Sequence, residues 1–273
     1  MFYRVFSVFF FAGTLMACST GSNQVENEET SASSTIQELS YTLVGTLPHD
    51  TTYFTEGLLF HGDTLLESTG SPERLTFTRS LIAGCDTNFG NRKVYAELDR
   101  KQYFGEGIAV FGDKVYQLTY INQRGFIYQL PDFKRLGEFS FSSKEGWGMT
   151  SDGKCVIMSD GTDELHYLDP NGLKPVKNLR VRRGELPESY LNELEYVNGF
   201  IYANIFTTNT VVKIDTGSGQ VVAQLDLSAL AQDAANVHPG SMEMNGIAFN
   251  PANGLFYITG KCWPTSYKIK FPY

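Results

Sequence analysis

The chain has 273 residues, which is ample for one large globular domain. Its formal net charge of −8 disfavours a nucleic-acid-binding protein, because such proteins normally carry a basic face. The sequence is rich in Gly (26), Phe (20) and Tyr (15), a composition typical of short strands and tight turns rather than long helices.

The N-terminus has the features of an export signal. Residues 1–17 begin with a single basic residue, Arg4, followed by an apolar stretch too short to span a bilayer. The segment Leu15–Cys18 (LMAC) resembles the lipobox of bacterial lipoproteins, which implies that Cys18 is acylated and becomes the mature N-terminus. We therefore predict an exported bacterial lipoprotein, periplasmic or anchored to the outer membrane. An ordinary secretory signal with an incidental cysteine is the alternative.

Residues 18–38 are rich in Ser, Thr and Glu and contain no aromatic residue, which predicts a disordered tether. Residues 39–273 contain five related segments, each an apolar run, a turn of Gly, Asn or Asp, and a second apolar run. That pattern predicts a β-hairpin. The segments begin at Gly57, Gly107, Gly148, Glu193 and Gly246.

The intervals between these starts run from 41 residues (Gly107 to Gly148) to 53 residues (Glu193 to Gly246). A four-stranded propeller blade takes about 40–50 residues, so the sequence predicts an all-β fold, a five-bladed β-propeller. We expect Tyr41–Leu47 to supply an N-terminal strand that closes the last blade. Leu227–Ala235, in the longest interval, is predicted to form a short helix.

Corresponding positions in the five repeats should lie on rings around the propeller axis. The residues that precede the repeat starts all carry a polar group; they are Glu56, Glu106, Trp147, Asn192 and Asn245. The residues at the end of each second strand form another ring, and they are Gly70, Tyr120, Gly161, Phe206 and Lys261. Because the second strand of a hairpin returns antiparallel, both rings should face one pocket.

Two carboxylates and a lysine in a partly enclosed aromatic cleft are candidates for acid/base chemistry. The alternative is that the polar residues only cap the channel through hydrogen bonds to backbone and water.

The histidines form no HxH or HxxxH pair, so no metal or other cofactor is expected. Cys85 and Cys262 leave a disulfide open, and Cys155 is predicted to be a buried strand residue.

Six motifs together resemble the plant-and-bacterial glutamine cyclotransferase family, over roughly Tyr41 to Ile269. They are FTEGL (Phe54–Leu58), FGEG (Phe104–Gly107), EGWG (Glu145–Gly148), LNELEYVNG (Leu191–Gly199), NGIAF (Asn245–Phe249) and TGKCWP (Thr259–Pro264). The resemblance implies a five-bladed propeller that converts the N-terminal glutamine of peptides or proteins to pyroglutamate and releases ammonia, without a metal. It implies an acyltransferase, here anchored by lipid, and we expect a monomer.

The resemblance also assigns roles to residues. Glu106 matches the proposed catalytic acid/base, Lys261 the active-site lysine, and Asn192 and Trp147 residues that contact the substrate amide. We expect either Asn192 or the Trp147 indole N–H to help Lys261 stabilise an oxyanion. The predicted substrate-binding residues are Phe54, Glu56, Phe104, Tyr120, Phe206 and Asn245.

Three of these positions depart from the plant pattern. Glu56 stands where the plant enzymes usually have glutamine, and Tyr120 and Phe206 stand where they have tryptophan. The aromatic changes keep a ring face but lose an indole N–H donor. Two other functions stay open on the sequence: a non-catalytic propeller that binds a peptide or polymer at the same mouth, and a propeller hydrolase of the sugar-lactonase type.

Overall fold

The computed structural model describes residues 36–86 and 92–273. The predicted signal peptide, Cys18 and most of the predicted tether lie outside these residues. In chain order, the first ten strands are β1 (Gln37–Glu38), β2 (Thr42–Pro48), β3 (Phe54–His61), β4 (Thr64–Gly70), β5 (Leu81–Asp86), β6 (Arg92–Glu97), β7 (Gly105–Phe111), β8 (Lys114–Thr119), β9 (Arg124–Gln129) and β10 (Lys134–Ser140).

The second half of the chain contains the remaining strands and one helix, α1. These elements are β11 (Met149–Ser151), β12 (Val156–Met158), β13 (Glu164–Leu168), β14 (Pro175–Arg180), β15 (Arg182–Arg183), β16 (Leu186–Pro187), β17 (Leu191–Val197), β18 (Phe200–Ile205), β19 (Thr210–Asp215), β20 (Val221–Asp226), α1 (Ser228–Val237), β21 (Met244–Asn250), β22 (Leu255–Gly260) and β23 (Thr265–Lys270).

Five sheets, antiparallel except for the short edge strand β1, form five blades, which confirms the predicted propeller. Blades 1 to 3 are β3–β6, β7–β10 and β11–β14; blade 4 is β17–β20 with β1 at its edge, and blade 5 is β21–β23 with β2. The innermost strands contact one another in the cyclic order β3, β7, β11, β17, β21 and back to β3. These inner strands are buried on both faces because each is packed between two neighbouring blades, whereas the outer strands β10 and β14 are mostly exposed to solvent.

Glycine recurs at the repeat starts because the inner strands approach one another closely around the axis. A Cβ on Gly57 would lie 2.8 Å from the backbone nitrogen of Ile108 in the next blade. A Cβ on Gly107 would meet Met149 in the same way, and one on Gly148 would overlap the backbone of Asn192. A small five-membered ring of strands thus requires the residue without a side chain.

The fourth repeat begins with Glu193 instead, and its fully buried carboxyl reaches across to two other blades. It accepts hydrogen bonds from the backbone N–H of Leu58 (3.0 Å) and of Ile247 (2.8 Å). Burial raises the pKa of Glu193 well above its ordinary value. The two hydrogen bonds act to lower the pKa, but burial outweighs them. The side chain therefore joins blade 4 to blades 1 and 5 at the centre of the ring.

The N-terminal strand closes the last blade, as predicted. β2 runs antiparallel to β23, with Thr42 opposite Lys270 and Pro48 opposite Thr265. The first and last parts of the chain therefore share one sheet. Gln37 and Glu38, which lie within the predicted tether, are also part of the fold, because β1 pairs in parallel with β20 of blade 4. The propeller thus begins before residue 39.

The predicted helix is present as α1, one residue later at its start and two residues later at its end than the sequence indicated.

The three cysteines among the described residues, Cys85, Cys155 and Cys262, are free thiols, so the disulfide that the sequence left open is not formed. Cys155 is half-buried and directly precedes β12 instead of lying within a strand. No helix among the described residues is long and apolar enough to cross a bilayer.

Candidate active site

Nine side chains from all five blades surround one cavity of about 230 Å³ at the end of the central channel. The cavity lies where the inner strands begin and their partners end: Phe54 of β3 pairs with Gly70 of β4, and Leu191 of β17 pairs with Ile205 of β18. Its lining consists of Phe54, Glu56, Phe104, Glu106, Tyr120, Trp147, Asn192, Phe206 and Lys261. The structure therefore brings together nine of the ten residues that the sequence singled out.

Irregularities in the inner strands turn the polar residues towards this cavity. The pairing register shifts between Thr55 and Gly57, between Gly105 and Ile108, and between Leu191 and Leu194. Glu56, Glu106 and Asn192 each lie at one of these shifts. A β-bulge bends its strand and re-aims a side chain, and such bulges are common beside active sites.

Lys261 and Glu56 form a buried ion pair. The Lys261 Nζ lies 2.9 Å from Glu56 Oε1, and both side chains are almost fully buried. The ammonium also lies 4.6 Å from the ring centroid of Phe54 and 5.3 Å from that of Phe206, so two aromatic faces contribute cation–π contacts. Burial lowers the pKa of Lys261, but the charges of Glu56 and Glu106 outweigh burial and raise it overall.

Glu106 is the second carboxyl of the cavity, and it is 5% exposed. Its backbone carbonyl accepts a hydrogen bond from the Ser68 hydroxyl, which ties β7 to blade 1. Burial and then the negative charge of Glu56 raise the pKa of Glu106 well above its ordinary value. Burial also raises the pKa of Glu56 to about 7, although the charge and hydrogen bond of Lys261 act to lower it.

Asn192 and Asn245, the two asparagines that precede repeat starts, have different surroundings. The Asn192 side-chain oxygen is buried in the cavity wall and has no hydrogen-bond partner among the described residues. It is therefore available to a donor on a bound molecule. Asn245 does not line the cavity; its Nδ2 donates to Glu56 Oε2 (2.9 Å) and to the Thr55 carbonyl (3.1 Å). Asn245 thus holds Glu56 in place instead of forming part of the wall.

The aromatic side chains of the cavity wall have room to pack only because two residues at the ends of second strands, Gly70 and Gly161, are glycines. A Cβ on Gly70 would overlap the ring of Phe104. Gly161 has a φ of +80°, and a Cβ there would lie 2.7 Å from the Trp147 ring. Phe104 then packs against Phe54 at 5.9 Å, and Trp147 packs edge to face against Phe206 at 5.2 Å. These four rings and Tyr120 give the cavity its apolar sides.

The indole N–H of Trp147 already has a hydrogen-bond acceptor within the protein. It donates to Glu145 Oε2 at 2.8 Å, so it is not directed at a reacting group, and Asn192 is left as the partner of Lys261 in the oxyanion hypothesis. Glu145 is a functional candidate that the sequence analysis missed; its charge also raises the pKa of Glu106, after burial and Glu56. Glu145 is the first residue of the EGWG motif, two residues before Trp147, and this position in the motif could have identified it from the sequence.

Within residues 36–86 and 92–273, no group of three or more His, Cys, Asp or Glu side chains is arranged to hold a metal ion. The lining of the cavity itself supplies two carboxyls, one ammonium, one carboxamide and an apolar enclosure. Such a set can move protons at a bound amine and stabilise a developing negative charge on oxygen.

Comparisons with known proteins identify the family of the chain. The family model described as glutamine cyclotransferase matches residues 14–271. A curated glutaminyl-peptide cyclotransferase from Arabidopsis thaliana is 34% identical over 230 residues, which are 84% of this chain and 70% of that protein. The crystal structure of Myxococcus xanthus glutaminyl cyclase superposes with a TM-score of 0.76 at 30% identity, covering 87% of this chain and 98% of the other. The chain therefore belongs to the glutamine cyclotransferase family.

Proposed function

We propose that this protein is a glutaminyl-peptide cyclotransferase, which converts the N-terminal glutamine of a peptide or protein to pyroglutamate and releases ammonia. The observation that carries the proposal is the shared cavity of Glu106, Lys261 and Asn192, in a chain of this family. A carboxyl with a raised pKa beside an ammonium group, enclosed by aromatic rings, suits an intramolecular aminolysis.

The reaction joins two ends of one residue. The α-amine attacks the side-chain amide carbonyl, the new C–N bond closes a five-membered lactam, and the amide C–N bond breaks to release ammonia. Before it attacks, the amine must lose a proton, since α-amines are largely protonated near neutral pH. The apolar walls fold the flexible methylenes back so that the amine and the carbonyl meet.

We assign the proton transfers to Glu106. The substrate ammonium first releases one proton to solvent. As the neutral amine attacks, the Glu106 carboxylate accepts a second proton from its nitrogen and returns that proton to the departing amide nitrogen, which leaves as ammonia, so the residue ends each cycle in its starting state. The Nζ of Lys261 and the Asn192 carboxamide stabilise the tetrahedral oxyanion. Glu56 holds Lys261 by their 2.9 Å ion pair and is in turn held by Asn245.

Replacing Glu106 by glutamine tests the assignment. Glu106→Gln keeps the shape of the side chain but removes the base, so kcat should fall by about two to four orders of magnitude. The measurement is ammonia release from a Gln-initiated peptide. Glu138→Gln, on the exposed outer strand of the same blade, is the matched control and should leave the rate unchanged. A wild-type rate in Glu106→Gln would refute the role of Glu106, and no ammonia from the wild-type protein would leave only a binding function.

We further propose that the protein is an exported lipoprotein whose Cys18 carries the lipid, and that it acts as a monomer. The LMAC segment and the polar stretch that follows it support the anchor. A Cys18→Ser variant should leave the membrane fraction while its cyclisation rate stays that of the wild type. Membrane retention of this variant would contradict the anchor, and sedimentation of the chain without residues 1–18 tests the monomer.

A further inference from the structure

The cavity has room for one amino-acid residue. Its volume of about 230 Å³ is below the roughly 300–1,000 Å³ of pockets that enclose a drug-sized ligand. The inference below rests on the proposed function, in which the substrate is a polypeptide. When the N-terminal glutamine fills the cavity, the second and third residues of the substrate must therefore lie across the mouth, on the loops that surround it.

Two loops at the mouth carry exposed apolar side chains next to residues of the cavity wall. Ile121 is 64% exposed and directly follows Tyr120, and Tyr190 is 60% exposed and lies two residues before Asn192. Both are among the most exposed large apolar residues of the described part of the chain. With the aromatic rings of the cavity wall beside them, Ile121 and Tyr190 would extend the apolar surface of the cavity outwards, and continuous apolar surface of this kind is typical of an interaction site.

Backbone hydrogen bonds fix Tyr190 itself, and fix Tyr120, the residue directly before Ile121. Tyr190 donates its N–H to the Gly161 carbonyl, and its own carbonyl accepts the N–H of Phe206. Tyr120 is fixed in the same way, between the carbonyl of Phe104 and the N–H of Gly146. The Ile121 loop is thus joined to Gly146, which directly precedes Trp147, and Tyr190 is joined to Gly161, which lies against the Trp147 ring.

Tyr190 has a backbone conformation that is uncommon for its residue type. Its φ is +64°, in the left-handed region that a bulky residue seldom adopts. Residues held in this region are found disproportionately at ligand-binding sites, where the surrounding structure maintains them. Here the two backbone hydrogen bonds maintain it, and the aromatic side chain is presented to solvent beside the mouth.

We infer that Ile121 and Tyr190 form a subsite for an apolar side chain at the second position of the substrate, so that the enzyme selects peptides in which an apolar residue follows the N-terminal glutamine. The occupant is the substrate chain itself, because it continues from the cavity across these loops. Burial of an apolar side chain between Ile121 and Tyr190 stabilises the complex through the hydrophobic effect, and a polar side chain of equal size gains none of this.

The test compares Gln-Leu-Ala-amide with Gln-Asn-Ala-amide, whose second residues have similar shape. In the wild-type protein, kcat/KM should be about tenfold higher for the leucine peptide, the low end of discrimination by an apolar contact. In Ile121→Asn/Tyr190→Asn the ratio should fall to about twofold or less. Asparagine tolerates positive φ, so the fold at position 190 is retained, which circular dichroism checks. Val176→Asn, on the exposed strand β14 of blade 3, is the matched control and should keep the tenfold ratio.

Equal kcat/KM values for the two peptides in the wild-type protein would overturn the inference. So would a tenfold ratio that survives in the double variant. If the wild-type protein releases ammonia from neither peptide, the proposed function fails instead. The affinities of the same two peptides, measured by calorimetry, then decide the subsite: a preference for leucine that the double variant loses supports it, and equal affinities overturn it.

Discussion

At the scale of single residues, the charge balance of the cavity governs its chemistry. Glu56, Glu106 and Lys261 share one enclosed space, and Glu56 is bound directly to the lysine. The lysine charge is therefore partly neutralised before substrate enters, and Glu106 keeps a raised pKa. In the proposed mechanism, the carboxyl at position 56, where the plant members of the family usually have glutamine, should therefore shift the pH range in which Glu106 acts as a base.

Glu56→Gln should move the acidic limb of the kcat/KM profile to lower pH. The substitution removes a negative charge that raises the pKa of Glu106 and frees Lys261 to interact with it, and both changes lower that pKa. Because Glu106 must be ionised to accept a proton, activity then persists at lower pH. The measurement is the pH dependence of ammonia release, with Glu138→Gln as control. An acidic limb that stays in place or moves to higher pH would contradict this account.

At the scale of elements, β17 connects the inner strands of three blades through side chains instead of backbone pairing. Glu193 accepts the N–H groups of Leu58 on β3 and of Ile247 on β21. Two residues further along β17, Glu195 accepts the N–H of Phe249, and burial raises its pKa to about 8. These bonds satisfy backbone donors that face the central channel, where no further strand can pair with them.

Glu193→Ala should lower the free energy of unfolding more than Glu195→Ala. The first substitution leaves two buried N–H groups without an acceptor and the second leaves one, at about 1–3 kcal/mol for each group. Urea denaturation of the two variants and the wild type measures the difference. Equal effects of the two substitutions, or a Glu193→Ala variant as stable as the wild type, would show that water replaces the carboxyl in the channel.

At the scale of the whole molecule, the ring is closed by the first and last parts of the described chain. β2 pairs with β23 at six positions, from Thr42 opposite Lys270 to Pro48 opposite Thr265. Immediately after β2, the buried His49 contacts Glu67 of blade 1 (2.8 Å) and the Trp263 carbonyl of blade 5 (2.7 Å). The cavity needs this closure because Glu56 comes from blade 1 and Lys261 from blade 5.

A chain that begins at His49 should lose both its cooperative thermal unfolding and its activity. Without β2, the edge of β23 is exposed and blades 1 and 5 separate more easily, which pulls Glu56 away from Lys261. A chain that begins at Leu39 lacks residues 1–38, which include β1, but keeps β2 and serves as control; its melting temperature should stay close to that of the full chain. Calorimetry and ammonia release follow both truncations. Similar melting temperatures for the two would mean that β2 does not hold the ring closed.

The sequence by itself determined the blade count and the ring positions. Alternating apolar runs and turns are local, and their repeat length fixes how many four-stranded units the chain contains. Antiparallel return of each hairpin then places Glu56, Glu106, Asn192 and Lys261 at one end of the channel without any knowledge of distances. The same reasoning located β2 and α1 to within one or two residues.

Only the tertiary structure decided how these side chains are used. The Trp147 indole N–H donates to Glu145, and Asn245 binds Glu56 instead of lining the cavity. Cys85 and Cys262 remain free thiols although both are buried. The direction of a side chain and the pKa of a buried carboxyl depend on neighbours from other blades, which lie tens of residues away along the chain. A periodic pattern specifies where a residue lies on a strand, and packing between blades specifies what it touches.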